Sequence, residues 1–240
     1  MTLKSTFFRQ HTLLLPRCWL VVLLLLITGM LGFLAGKDLA NYLALTDPVH
    51  GRYLVVEGWL DESELDQALQ VFRHSNNRYE YLLTTGGPDK RFSNVGNSSY
   101  AEKSAKYFLS KGLAKQQLIV IPTPESAQAR TFLSAVMVRD WFAQNHLGSR
   151  VAIDVFSASV HARRTHLLYE TAFHPSIDIG VYASIPLGFK LPAWWQTSAG
   201  AKLVVLELIS LIWTVCFFEP GEPASYQEKW GIKLDVQNKL

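Results

Sequence analysis

Two serines, an imidazole and two guanidinium groups fall within eight consecutive positions, Ser157-Ala158-Ser159-Val160-His161-Ala162-Arg163-Arg164. Ahead of them, Val151 to Phe156 is apolar enough for a buried strand, and behind them apolar spacing predicts a helix from Val160 to Phe173. In an open α/β sheet, ligands bind at such a strand-to-helix turn, outside the carboxyl ends of the strands and against helix N-termini. An imidazole there is the natural acid or base, so His161 is the candidate catalytic residue. Arginine and backbone N–H groups would hold negative charge. Ser157 or Ser159 can cap the helix. His161 and Arg164 are three apart and share a helix face. Arg164 also falls on the stripe Val160, Leu167, Leu168 and Thr171, read as facing the sheet. Its charge therefore needs a partner, either a carboxylate such as Glu57 or Glu102 or an anionic ligand. Arg163 lies off that stripe and is expected in solvent.

Three other loops offer polar groups to the same edge. Glu57-Gly58-Trp59 follows the apolar run Tyr53 to Val56, and its carboxylate can meet a ligand or pair with an arginine. Thr84-Thr85-Gly86-Gly87 follows Tyr79 to Leu83; paired glycines let backbone N–H groups approach an anion, or simply make a tight turn. Arg130-Thr131 lies near the start of a long helix predicted from about Ser126 to Asn145, where an arginine and a hydroxyl suit a phosphate. Glu102 stands in Ser99-x-x-Glu102, the pattern of a capping box, as well as being a candidate ligand contact. The ligand-binding candidates are thus Glu57, Gly86, Gly87, Glu102, Arg130, Thr131, Ser159 and Arg164. No Walker A loop, G-x-G-x-x-G fingerprint or G-x-S-x-G elbow occurs. The two cysteines, Cys18 and Cys216, show no metal-ligand spacing, so neither a metal nor a cofactor is expected.

Short apolar strands near 53–56, 79–85, 118–121, 151–156 and 177–182 alternate with helices near 61–72, 99–111, 126–145 and 160–173. This alternation predicts an α/β fold: a Rossmann-like three-layer sandwich with a mostly parallel sheet of about five strands. Asp61 with Glu64, and Ser99 with Glu102, are its helix starts; Gly112 is a helix stop.

Cys18 to Gly36 carries no charge and is preceded by Lys4, Arg9 and Arg17. Read by apolar length and the positive-inside bias, residues 18–36 are one N-terminal transmembrane helix; the alternative is a secretory signal cleaved near Leu34-Ala35-Gly36, which would also export the domain. Residues 1–17 are then cytoplasmic, 37–51 a linker, 52–220 the α/β domain and 221–240 a polar, loosely packed tail. This gives a single-pass inner-membrane protein whose domain is extracytoplasmic, with the membrane as a partner. A second apolar run, Ala201 to Phe218, contains Lys202 and Glu207 and is read as a helix packed on the sheet, because charge at mid-span is costly. The net charge of +3, without a basic stripe, argues against nucleic acid. Oligomeric state is not readable.

The ordered set Val55-Val56-Glu57-Gly58, Thr85-Gly86-Gly87, Ser99…Glu102-Lys103, Arg130-Thr131 and Ser159-Val160-His161-Ala162-Arg163-Arg164 resembles the YdcF/ElyC/SanA family of α/β proteins. Trp194-Trp195, Ser198 and Gly200 before a last apolar helix resemble a subset of it. The sequence departs at the first loop, where many members have a Gly-rich or arginine-bearing segment. The resemblance implies a Rossmann-like fold, often membrane-anchored, with links to envelope integrity and peptidoglycan or lipid-carrier metabolism. The function expected is binding or processing of an anionic, phosphorylated, possibly lipid-linked envelope precursor. Alternatives are a non-catalytic assembly factor and, as one cytoplasmic member suggests, an S-adenosylmethionine-type binder.

Overall fold

The structure, a computed structural model, describes residues 18–74, 79–88, 98–125, 129–145, 152–173 and 177–231. The expected cytoplasmic segment 1–17, the loop Asp89 to Asn97, the helix start at Ser126 and residues 232–240 of the tail lie outside them. The chain forms two compact units, 1–38 and 39–240.

The described part of the first unit is helix α1 (Cys18–Lys37). Its apolar stretch among described residues, Trp19–Gly32, falls short of a crossing, which takes about 20 residues at ~1.5 Å each. Among the described residues, the helix long and apolar enough by that measure is Ser198–Phe217, toward the other end of the chain. The expected N-terminal transmembrane helix is thereby corrected, and the single-pass inner-membrane topology with an extracytoplasmic domain falls with it.

In the second unit, α2 (Leu39–Leu43) precedes β1 (Tyr53–Glu57), α3 (Glu62–His74), β2 (Tyr81–Gly86), α4 (Tyr100–Ser110), β3 (Leu118–Pro122), α5 (Arg130–Gln144), β4 (Ile153–Ser157), α6 (Ala162–Phe173), β5 (Ile179–Ala183), α7 (Ser198–Phe217) and α8 (Tyr226–Trp230). All five strands pair in parallel, in the order β3-β2-β1-β4-β5. This is the doubly wound order, whose topological switch point falls between β1 and β4. Alternating side chains give each face of the sheet its own core. Tyr53, Val55, Leu83 and Val155 pack under α5 and α6 through Phe132, Val136, Leu168 and Phe173. Leu54, Val56, Leu82 and Phe156 pack under α3 and α4 through Leu65, Leu69, Phe72 and Phe108. The α/β layering read from the sequence is what forms.

Local signals act as written at several helix ends. Asp61 Oδ1 accepts from Glu64 N at 2.9 Å, and Ser99 with Glu102 closes a complete capping box. Gly112 takes φ +83° just past α4, a conformation that favours glycine. The segment read as a linker is built into the fold. Ala40 and Leu43 are fully buried, and Asp47 bridges Val181. The buried Asp154 carboxylate accepts from Val49 N, Gly51 N and Tyr79 Oη, each at 2.8 Å. The tail is likewise packed as far as it is described: Glu228 on α8 is buried and pairs with Arg139 of α5 at 2.6 Å.

Helix α7 packs on α6, α2 and the one-turn helix Ser159–His161 rather than on the sheet. Its inward stripe is Gly200, Val204, Glu207, Leu211 and Thr214, a spacing of three and four residues.

Candidate functional site

Three strands end side by side at the switch point. On the face covered by α5 and α6, Glu57 closes β1, Thr85 sits level with it on β2, and Ser157 closes β4. Glu57 is 2% exposed. One of its oxygens accepts from Ser157 Oγ at 2.5 Å, and the other lies 3.5 Å from Thr165 Oγ1 on α6. A buried carboxylate persists only when such donors surround it. The hydroxyls of Thr85 and Tyr169 are buried with no partner among the described residues. Burial, then the nearby Glu57 charge, raises the Tyr169 phenol well above its usual range, so it stays a neutral donor.

His161 leaves the one-turn helix between β4 and α6 and stands over Glu57. Its Nε2 is 3.4 Å from Thr131 Oγ1 and 3.9 Å from Glu57 Oε1. Its Nδ1 is 3.1 Å from Glu207 Oε1 and 2.9 Å from Arg164 Nη2. Those two neighbours ask opposite things of Nδ1, since the arginine donates and the carboxylate accepts. In the neutral ring, a bare Nδ1 accepts from Arg164, and the Nε2 proton then faces Thr131 and Glu57. The exposed ring of Trp59 meets the imidazole edge-on, centroids 5.4 Å apart.

Arg164 and Glu207 form a two-point ion pair, Nε to Oε1 at 2.5 Å and Nη2 to Oε2 at 3.2 Å. Burial of Glu207 would raise its pKa, but hydrogen bonds from His161 and Arg164 outweigh this and hold the carboxyl below its usual range. Arg164 therefore has its carboxylate, and it is neither Glu57 nor Glu102. The stripe containing Arg164, Leu167 and Thr171 faces α7 rather than the sheet; the residues of α6 turned to the sheet include Thr165, Leu168 and Tyr169. The helix is buried on two sides, and its apolar pattern alone does not say which side is which. Arg163 is held too: it bonds to Tyr42 O and stacks on the Tyr42 ring at 3.8 Å.

Of the sequence candidates, Glu57, Thr131, His161 and Arg164 come together. Ser159 is at the same turn, buried, at φ +26°, its backbone N–H given to Ser184 Oγ at 2.9 Å. Its own hydroxyl has no partner among the described residues and does not cap α6. Gly86 and Gly87 do not form an open cradle. A Cβ on Gly86 would lie 2.9 Å from Tyr100 Cβ, and one on Gly87 3.0 Å from Thr123 Oγ1, so close packing on α4 and on the β3 exit accounts for both. Glu102 is engaged by Ser99, both backbone and hydroxyl. Arg130 is exposed at the first turn of α5, next to Thr131. Glu207, Ser157 and Thr165 were not among the candidates. The signal for Glu207 was present: it is the one acid in the apolar run 201–218, on its inward stripe, and such a charge demands a partner. Among the described residues, no cluster of three or more His, Cys, Asp or Glu could hold a metal ion.

No family model, no curated protein and no solved structure matches the chain. The class rests on the fold itself: a doubly wound parallel α/β domain with a polar site at its switch point.

Proposed function

We propose that this chain binds a small phosphorylated molecule at the carboxyl edge of the sheet and processes it by proton transfer through His161. The carrying observation is the convergence of Glu57, His161, Glu207 and Arg164 from β1, the β4–α6 turn, α7 and α6 at the switch point. Glu207 and Arg164 fix the imidazole through contacts at Nδ1. Nε2 and Glu57 Oε1 are 3.9 Å apart, too far for a direct hydrogen bond but spanned by one ligand hydroxyl or water. The unpartnered hydroxyls of Thr85 and Ser159 add capacity for a hydroxylated ligand. The anionic group falls to Arg130 and the N-terminus of α5, since Arg164 is neutralised. The likeness to the YdcF/ElyC/SanA set belongs to this proposal and rests on the ordered set of sequence motifs, of which Glu57, Thr131, Ser159, His161 and Arg164 fall at the site.

A second reading, binding without chemistry, is favoured by Glu57 already holding Ser157 and Thr165. Phosphate release from sugar phosphates and pyrophosphate separates the two. Turnover that disappears in His161→Ala while the fold is kept supports processing. Saturable binding without turnover supports the second reading. Protection by S-adenosylmethionine alone would point to a third, nucleotide-like class and against both.

A further inference from the structure

Helix α7 is apolar all round, yet only its inner stripe is covered. Val204 and Leu211 are buried in a cluster with Val160 and Phe189, and Glu207 is tied to His161 and Arg164. The opposite arc exposes Leu203, Leu206, Ile209, Ile212, Trp213 and Phe217. Only 22% of the helix's apolar window is buried. An arc of this size left to water is unfavourable, and a helix hydrophobic on every side is one that something covers.

We propose that the outer arc of α7 is a lipid-docking surface, by which the domain rests on a bilayer without α7 crossing it. Three observations choose lipid. The arc carries bulky aliphatic and aromatic side chains and no acid; its single charge, Lys202, lies in the first turns, with exposed Lys190 just before the helix, so the cationic end suits phosphate headgroups. The loop that supplies Phe189 to the inner stripe also exposes Leu187, which extends the apolar surface. An apolar-lined cavity of about 250 Å³ opens between α6 and the end of α7, bounded by Leu167, Val215 and Phe218. Glu207 excludes a lone crossing: leaving the domain would strip it of Arg164 and put a carboxylate among lipid chains. The inference does not depend on what the site binds, but it places that site one helix away from a lipid boundary, because Glu207 lies on the inner stripe of the helix whose outer arc meets lipid.

Cys216 is exposed on the outer arc and serves as a native reporter. The full chain carrying Cys18→Ser is labelled at Cys216 with nitrobenzoxadiazole and mixed with phosphatidylcholine vesicles containing some phosphatidylglycerol. A second protein, Cys18→Ser, Cys216→Ser and Val204→Cys, carries the label on the inner stripe; Leu211→Cys replaces it if circular dichroism shows a lost fold. The proposal predicts that nitroxide lipids quench most emission at 216 but not at the inner stripe, with iodide ineffective at both. Quenching at 216 by iodide rather than nitroxide would overturn it, since the arc is then in water. Protection at 216 from both quenchers would overturn it in favour of a protein cover, α1 or a second copy. Nitroxide quenching at both positions would overturn it in favour of a crossing helix.

Discussion

At the scale of single residues, the site is a set of charges that satisfy one another across long sequence distances. Arg164 and Glu207 are mostly buried, so removing either strands the other. Glu207→Gln or Arg164→Gln is expected to lower stability by about 1–3 kcal/mol. The double variant should cost less than the sum, read from urea unfolding of all four proteins. Additive losses would show that the pair does not couple. His161 and Arg164 were legible as a facing pair from their spacing alone. The carboxylate that joins them was not, because Glu207 is 43 residues further on in a run whose composition speaks of burial. Its identity follows from how α6 and α7 pack, and no periodicity within either helix contains that. Arg163 shows the same gap: its separation from Arg164 was readable, its seat on Tyr42 was not.

At the scale of elements, helix starts and the alternation of strands with helices are local or nearly so, and the sequence carried them at Asp61 and Ser99. The capping box at Ser99 is expected to show in acid. Backbone and side-chain hydrogen bonds from Ser99 hold the Glu102 carboxyl below its usual range. A lowered folded pKa means a contribution that is complete above the unfolded carboxylate value of about 4.3 and is lost as pH falls through the folded one. Glu102→Gln should therefore shallow the loss of thermal stability below that pH and leave the difference near neutrality constant. An acid limb unchanged by the substitution would remove this role. Asp154 is the element-scale feature that the sequence hid, since an acid inside an apolar strand reads as noise in the pattern. It ties the segment before β1, and Tyr79, to β4. Asp154→Ala is expected to cost roughly 3 kcal/mol in denaturant unfolding, as three donors lose one buried charged acceptor.

For the whole molecule, alternation of apolar runs gave the layers, and right-handed crossovers then put all strand exits at one edge. That is why a polar edge could be located before any contact was known. The apolar ends were harder. Apolar length with flanking basic residues made 18–36 a span, and the cost of Lys202 and Glu207 made 201–218 a packed helix, whereas among the described residues the helix that qualifies by length and apolarity is α7, and it is covered on one side only. Hydropathy measures what a helix tolerates; which neighbour it meets is decided by the fold. The same holds for Gly86, where a motif-like pair of glycines proved to be room for α4.

The central claim is that the switch-point edge receives a phosphorylated ligand, with Arg130 and the α5 N-terminus holding its anion. Titration calorimetry of the full chain with pyrophosphate and with a sugar phosphate, repeated on Arg130→Ala at fixed salt, tests it most directly. The account predicts saturable binding weakened about tenfold or more by the substitution, a loss of ~1.4 kcal/mol. No heat of binding from either compound, or equal affinity in the variant, would contradict it.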